Sequence, residues 1–128
     1  MPADWCDAAR LGMFIHWGHS SQRGCELSWP MVGGNPALPQ CGALAVAEYQ
    51  ATAATFDPQG LDAGAWARSA KHAGMEYAVF TSKHHDGFSM FHTKLSGFSV
   101  EHTPFGRDVV REYVEAFRDE GMRVGLYF

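Results

Sequence analysis

The chain has 128 residues, of which 46% are hydrophobic, and this size fits one modest domain with a hydrophobic core. The net charge is −4 and the ten lysine and arginine residues are scattered, which excludes the basic stripe that nucleic-acid binding requires. The sequence contains no apolar run of about 18 residues and no signal-peptide pattern, so we expect no membrane partner and, by default, a cytoplasmic protein. A secreted or periplasmic location would require a leader that precedes this sequence.

The three cysteines, Cys6, Cys25 and Cys41, are an odd number and show no Cys-x-x-Cys spacing. This pattern argues against a zinc knuckle and against a full disulfide framework. We therefore predict that all three cysteines are reduced thiols.

The first half of the chain predicts one strand, a long loop and a short helix. Residues 11–16 form the predicted strand, and residues 44–51 form the predicted helix. Residues 18–42 are rich in Gly, Pro and Ser, with turn signals at 33–36 and 38–39. A loop of this length inside a compact domain is usually functional or disordered.

The second half predicts two helices separated by a strand. Asp62 provides an N-cap oxygen for a helix that continues through His72, and residues 77–81 form the second strand. Asp108 complements the dipole of the next helix, which continues to Gly121 on apolar residues at helical spacing.

Residues 123–128 predict a third strand, which is apolar almost throughout. The element order is typical of successive βαβ units with parallel strands, so we predict the α/β fold class. Three strands and two long helices do not bury a parallel sheet on both faces, and a complete (β/α) barrel needs roughly 250 residues. We therefore infer a piece of a larger (β/α) fold, whose uncovered strand edge predicts self-association.

Polar side chains follow two of the predicted strands. Residues 12–18 read GMFIHWG, and residues 83–88 read KHHDGF. In a parallel barrel both segments lie at the C-terminal face, where active sites form. Adjacent residues of an extended chain point to opposite sides, so His84 and His85 share a ligand only if the chain turns after them. Asp86 and Gly87 supply such a turn, and the two segments predict a pocket for a polar ligand.

Four segments, in their order and spacing, resemble the N-terminal part of the α-L-fucosidases of glycoside hydrolase family twenty-nine: residues 12–18, 83–88, 107–110 and 125–128. The likeness covers nearly the whole chain. It implies a (β/α)8 TIM-like barrel, of which residues 1–128 are the truncated N-terminal portion with about three strands and no second domain. It also implies a retaining hydrolase that releases α-L-fucose from fucosylated oligosaccharides or glycoconjugates, without a cofactor.

The resemblance implies that His16, His84 and His85 hydrogen-bond the fucose hydroxyls. A neutral imidazole has one donor and one acceptor, which matches a hydroxyl group. The family also places a glutamate and a tryptophan in the loop after the first strand, usually side by side. Here they are separated, so Glu26 is the candidate for a hydroxyl contact and Trp29 the candidate for stacking on the sugar.

No catalytic residue is assigned in this chain. A retaining glycosidase needs a carboxylate nucleophile and an acid/base, roughly 5 Å apart. The resemblance implies that the nucleophile is an aspartate after the fourth strand and that the acid/base follows later, and neither position exists here. The setting of Asp86 before Gly87, and its place in the motif, favour a structural role.

Several alternatives remain open at this point. The histidines of the two segments could be core or loop residues, and the aromatic residues near them, Trp17, Trp29 and Phe88, could simply pack the barrel mouth. Three histidines with Asp86 also resemble the zinc or manganese site of a metal-dependent hydrolase, although His-x-His and His-Glu-x-x-His motifs are absent. A noncatalytic sugar-binding module is a third possibility. The remaining histidines match no pattern and are assigned to the surface or to loops: His19, His72, His92 and His102.

Overall fold

The computed structural model describes residues 5, 9–34 and 42–128. Its three strands form one parallel sheet with β2 in the centre: β1 (Gly12–Ile15), β2 (Tyr77–Thr81) and β3 (Arg123–Tyr127). Three α-helices are described: α1 (Val46–Ala51), α2 (Ala63–His72) and α3 (Val109–Asp119). The predicted α/β class is confirmed, and β2 has the predicted bounds.

The predicted long loop contains more regular structure than the sequence indicated. Two short 3-10 helices lie in it, at His19–Arg23 and Trp29–Val32. Pro30 is at the beginning of the second one, where a missing N–H is no loss. The turn signals beyond Gly34 fall on residues 35–41, which lie outside the described residues.

The two long helices begin at capping aspartates: Asp62, as predicted, and Asp108, for which the sequence predicted only an interaction with the helix dipole. The Asp62 carboxylate accepts a hydrogen bond from the Ala65 N–H at 2.7 Å, and the Asp108 carboxylate accepts one from the Arg111 N–H at 2.9 Å. Both bonds satisfy amides of the first turn, which have no partner within the helix. Asp108 is therefore a true N-cap as well as a charge that complements the dipole.

The cap of α2 leads to a simple stability prediction. We expect Asp62→Ala to lower the free energy of unfolding by about 1 kcal/mol, because one first-turn amide loses its acceptor. Asp62→Asn keeps an acceptor oxygen and should change stability much less. Urea unfolding followed by circular dichroism measures both, and equal losses for the two variants would contradict the capping role.

Apolar side chains of one sheet face pack against the long helices. Phe80 of β2 stacks on Tyr113 of α3 with their ring centroids 5.3 Å apart, and both side chains are fully buried. The Tyr113 hydroxyl donates a hydrogen bond to the Ala78 carbonyl at 2.7 Å. Burial of such a ring contributes roughly 2 kcal/mol, so this face fixes α3 on the sheet.

Within the described residues, β1 and β3 are the two edges of an open sheet. Phe14 of β1 is 58% exposed and Leu126 of β3 is 52% exposed. They lie on opposite faces, because Phe14 is in register with Val79 and Leu126 with the next residue, Phe80. Apolar area is thus uncovered on both faces, in agreement with the predicted incomplete sheet, while self-association stays a prediction. In these same ranges, no helix combines the length and the apolar composition that a bilayer crossing requires.

The prediction of three reduced thiols is wrong for Cys25, which is disulfide-bonded. The chain's other two cysteines, Cys6 and Cys41, lie outside the described residues. The number and spacing of cysteines do not show which sulfur atoms the fold brings together, and this is why the sequence interpretation failed.

Candidate functional site

The histidines of the two predicted segments meet at the carboxyl edge of the sheet. β1 and β2 are parallel neighbours, so His16 and the residues after Thr81 emerge on the same side. Nδ1 of His16 lies 3.0 Å from Oγ1 of Thr81. The ring centroids of His16 and His84 are 4.9 Å apart, and those of His84 and His85 are 4.6 Å apart. The three imidazoles therefore form one continuous row, as the sequence predicted.

A tight turn lets the two adjacent histidines face the same region. The Gly87 N–H donates a hydrogen bond to the His84 carbonyl at 2.9 Å. Gly87 has φ +83, a backbone conformation that a glycine adopts without steric cost. The predicted turn after the two histidines is therefore present.

The loop after β1 adds the other two predicted site residues. Oε1 of Glu26 lies 4.0 Å from Nε2 of His16. Trp29, 43% exposed, lines a cavity of about 420 Å³ together with His84 and His85. This volume is within the usual range of small-molecule sites. The five predicted residues are thus brought together, and their role in ligand binding stays a prediction.

The electrostatic environment favours a neutral His84. Burial lowers the pKa of its imidazole, and the nearby His16 and His85 lower it further by charge repulsion. A neutral imidazole keeps one hydrogen-bond donor and one acceptor. This is the state that suits a hydroxyl ligand.

Ser28 connects the two loops of the site, and sequence reasoning missed it. Its Oγ lies 2.6 Å from Nδ1 of His84 and accepts a hydrogen bond from the Asp86 N–H at 2.9 Å. Its own N–H donates to Oη of Tyr49 at 2.8 Å. No sequence pattern distinguishes this serine from the others of the loop, because its partners are 21 to 58 positions away.

Below the histidine row, Asp86 is a buried carboxylate with several donors around it. Oδ2 accepts a hydrogen bond from the Tyr49 hydroxyl at 2.7 Å and lies 3.5 Å from Nε2 of His19. Oδ1 accepts from the Phe88 N–H at 2.9 Å. Burial alone would raise the Asp86 pKa, but bonding to His19, Phe88 and Tyr49 outweighs it, so this pKa is lowered. Asp86 is therefore an ionised structural group, the role that the sequence predicted.

His19, assigned to the surface or to a loop, lies in the segment predicted as a loop after β1, but its side chain is fully buried and not at the surface. Its ring contacts Tyr49 and Phe88 at centroid distances of 4.9 and 4.8 Å, and its Nδ1 pairs with the Thr52 hydroxyl. The loop that reads as polar in sequence folds inward here and places this imidazole against Asp86. The other three histidines without a pattern are exposed, as predicted: His72, His92 and His102.

Two of the open alternatives can now be compared with the geometry. Trp17 packs on Phe56 and Trp66 at centroid distances of 5.4 and 5.8 Å, so it belongs to the core. Phe88 is also buried in the core. In the ranges 9–34 and 42–128, no three His, Cys, Asp or Glu side chains are arranged to hold a metal ion. The metal-site alternative therefore gains no support from this part of the chain.

Known proteins similar to this chain agree on one family. A family model described as Alpha-L-fucosidase matches residues 1–128. The putative alpha-L-fucosidase 1 of Oryza sativa subsp. japonica is 34% identical over 122 residues, which are 93% of this chain and 20% of the rice protein.

Two solved structures have the same fold over nearly all of this chain. An α-L-fucosidase of Bacteroides thetaiotaomicron, a trapped covalent intermediate in complex with 2-fluoro-fucosyl fluoride, has a TM-score of 0.78 at 33% identity. That match covers 93% of this chain and 28% of the solved one. The α-L-fucosidase AlfC of Lactobacillus casei, in complex with Fuca(1,6)GlcNAc, has a TM-score of 0.83 at 37% identity. That match covers 98% of this chain and 39% of the solved one.

The chain spans less than half of the length of each of these relatives. The family model, in contrast, matches the chain from its first residue to its last. The chain belongs to the α-L-fucosidase family.

Proposed function

We propose that the protein carrying this chain is a retaining α-L-fucosidase that acts on fucosylated oligosaccharides or glycoconjugates. Residues 1–128 would form the N-terminal portion of a single (β/α)8 barrel, the catalytic domain. The open parallel sheet with helices on one face supports this assignment, since such a sheet is what one sector of a barrel presents. The covalent intermediate and the fucosylated complex of the two solved relatives support the reaction and the substrate class.

The row of three imidazoles is the observation that carries the proposal. The ring nitrogens of His16, His84 and His85 lie at one edge of the sheet. A sugar carries several hydroxyls on neighbouring carbons, and each of them can pair with one ring nitrogen. We assign hydroxyl binding to these three residues. We assign to Glu26, beside His16, the acceptance of a hydrogen bond from a further hydroxyl.

Trp29 supplies the apolar part of the same site. Its half-exposed ring lies at the cavity that His84 and His85 also line. An aromatic face packs well on the C–H groups of a deoxyhexose. We therefore assign stacking on the sugar to Trp29.

Cleavage of the glycosidic bond is not assigned to any residue of this chain. Asp86 is buried and hydrogen-bonded on both carboxylate oxygens, so it does not reach a ligand in the cavity. A retaining mechanism needs two carboxyl groups that do reach the bond. In this proposal the chain binds and orients the fucose, and other residues of the protein break the bond.

The direct test is the hydrolysis of nitrophenyl α-L-fucoside by the protein as its whole gene encodes it. We expect turnover on the order of 1 to 1000 per second, with the α-anomer of fucose formed first in a proton NMR time course. The corresponding α-D-glucoside serves as a control substrate and should not react. First release of the β-anomer would overturn the retaining mechanism, and fucose binding without turnover would support the noncatalytic sugar-binding alternative.

Metal analysis distinguishes the proposed fucosidase from the remaining alternative, a metal-dependent hydrolase. A hydrolase of the proposed type keeps its activity after dialysis against EDTA, since the imidazoles bind hydroxyls and no metal ion. A stoichiometric metal ion that is lost in His84→Ala, together with the activity, would instead support the metal-dependent hydrolase.

A further inference from the structure

We propose that Ser28 is a positioning residue that fixes His84 as the Nε2–H tautomer and so makes it a hydrogen-bond donor toward the cavity. The consequence for sugar binding rests on the proposed function. The assignment of the proton rests on the geometry around Ser28.

The tautomer follows from counting donors and acceptors at the Ser28 hydroxyl. A serine hydroxyl has one proton to donate and two lone pairs that accept. The Asp86 N–H can only donate, and it occupies one lone pair of Oγ at 2.9 Å. The Ser28 proton is then free to point at Nδ1 of His84, 2.6 Å away.

The opposite tautomer leaves one polar hydrogen without a partner. If Nδ1 of His84 carried the proton, Oγ of Ser28 would accept two hydrogen bonds, and its own proton would face none of the acceptors described around this buried side chain. An unpaired hydroxyl proton in a buried site is unfavourable. The proton of the His84 ring therefore belongs on Nε2, the nitrogen that Ser28 does not contact.

A closed ring of hydrogen bonds holds the serine in place. The Ser28 N–H donates to Oη of Tyr49, whose hydroxyl donates to Oδ2 of Asp86, whose N–H returns to Oγ of Ser28. Tyr49 is fully buried, so this ring lies under the site and not in solvent.

The backbone of Ser28 shows that this position is under constraint. Its φ is +65, and within residues 9–34 and 42–128 no other residue except glycine has a positive φ. Strained backbone of this kind persists where the surrounding contacts impose it, and it is frequent at functional sites. The contacts that impose it here are those that orient His84.

His16 provides an internal comparison. Its Nδ1 faces the Thr81 hydroxyl at 3.0 Å. Among the described residues no backbone N–H donates to that hydroxyl, so the second bond that fixes the Ser28 hydroxyl has no counterpart at Thr81. A change at Thr81 should affect His16 and leave the His84 proton on Nε2.

The decisive variant is Ser28→Gly in the protein as its whole gene encodes it. Glycine adopts a φ of +65 without strain and keeps the N–H to Tyr49, so only the hydroxyl is removed. Long-range ¹H–¹⁵N NMR of ¹⁵N-histidine-labelled protein reports the tautomer, with His84 assigned by its absence in His84→Ala. We expect the Nε2–H form in the unchanged protein and a mixture of both forms in Ser28→Gly.

The same variant should raise KM for nitrophenyl α-L-fucoside about twofold if the two tautomers become equally populated, because the apparent affinity scales with the fraction of His84 that still donates to the sugar. The thermal unfolding midpoint should fall, because the buried Asp86 N–H loses its acceptor, and a purely structural serine would lower it too but would leave the tautomer unchanged. Thr81→Val is the matched control and should leave the His84 signal unaltered.

An Nδ1–H signal for His84 in the unchanged protein, or the same tautomer in Ser28→Gly, would overturn the inference. If the tautomer changes as expected but no fucoside is bound or hydrolysed, the proposed function fails while the role of Ser28 stands. The two failures are therefore distinguishable.

Discussion

Asp86→Ala is expected to lower the free energy of unfolding by about 3 to 5 kcal/mol, the range for removing one partner of a buried ion pair or its equivalent. The carboxylate is buried and accepts hydrogen bonds from the Tyr49 hydroxyl and the Phe88 amide. Its removal leaves these two donors without their acceptor, and it also removes the carboxylate that lies 3.5 Å from Nε2 of the buried His19. Urea unfolding at neutral pH measures the loss.

Two matched variants show how the loss is distributed. Asp86→Asn keeps the shape and one carbonyl oxygen, so it should lose less than Asp86→Ala. Tyr49→Phe removes a single hydroxyl, which both donates to Asp86 and accepts from the Ser28 N–H, and should lower stability by about 1 to 3 kcal/mol. A change of less than about 0.5 kcal/mol in Asp86→Ala, the usual size for a surface substitution, would show that this network does not hold the loops together.

The same carboxylate makes stability depend on pH in the acid range. Its pKa is lowered in the folded protein from the ordinary value of 3.8, so the unfolded chain binds more protons as pH falls. The contribution of Asp86 is therefore fully present well above pH 3.8 and is lost as pH falls through the lower folded value. Acid titrations should show a steeper loss of stability for the unchanged protein than for Asp86→Asn in this range.

His84→Ala should reduce kcat/KM for nitrophenyl α-L-fucoside about 100-fold, which is about 2.8 kcal/mol at about 1.4 kcal/mol per tenfold, because it removes the hydrogen bond that Nε2 donates to the sugar and the ring that orders the row. His84 is the central ring of the row, between His16 and His85, so its loss removes a ligand contact and also leaves its neighbours less ordered. Kinetics of the whole protein measure the effect.

The control for this prediction is His102→Ala, which removes an exposed imidazole remote in sequence from the row. It should leave kcat/KM unchanged within error. A His84→Ala enzyme with normal kcat/KM and normal unfolding would show that the imidazole row is not the sugar site.

The pH profile provides a second check on His84. Because its pKa is lowered from 6.5, the ring is neutral at neutral pH. Protonation at lower pH puts a proton on Nδ1, the nitrogen that accepts from Ser28, and places a positive charge beside His16 and His85. Fucoside affinity should therefore decline as pH falls through the lowered pKa of His84, which lies below 6.5, and this decline should be weaker in His84→Ala.

Local patterns in the sequence were sufficient for the elements and for the outline of the site. Alternation of apolar residues, capping aspartates and turn glycines act over a few positions, so they predicted β2, both long helices and the turn that ends in Gly87. The KHHDGF segment predicted the meeting of His16 with His84, because parallel strands place their carboxyl ends at the same edge.

The parts that sequence reasoning missed all depend on contacts between distant segments. His19 reads as a loop residue, yet the fold buries it against Asp86, 67 positions away, since a loop near a core folds over it. Ser28 looks like any polar loop residue until Tyr49 and Asp86 surround it. The disulfide of Cys25 was missed as well, because neither the number nor the spacing of the cysteines reveals which of them are bonded.

Interactions between residues a few positions apart can thus be predicted from the sequence. They were enough to predict which segments form strands and helices and which side chains lie at the ends of the strands. The proton on His84, the burial of Asp86 and the constraint on Ser28 arise where two loops and helix α1 pack on one another. Hydrogen bonds between these segments depend on distances in space, and only the folded chain sets these distances.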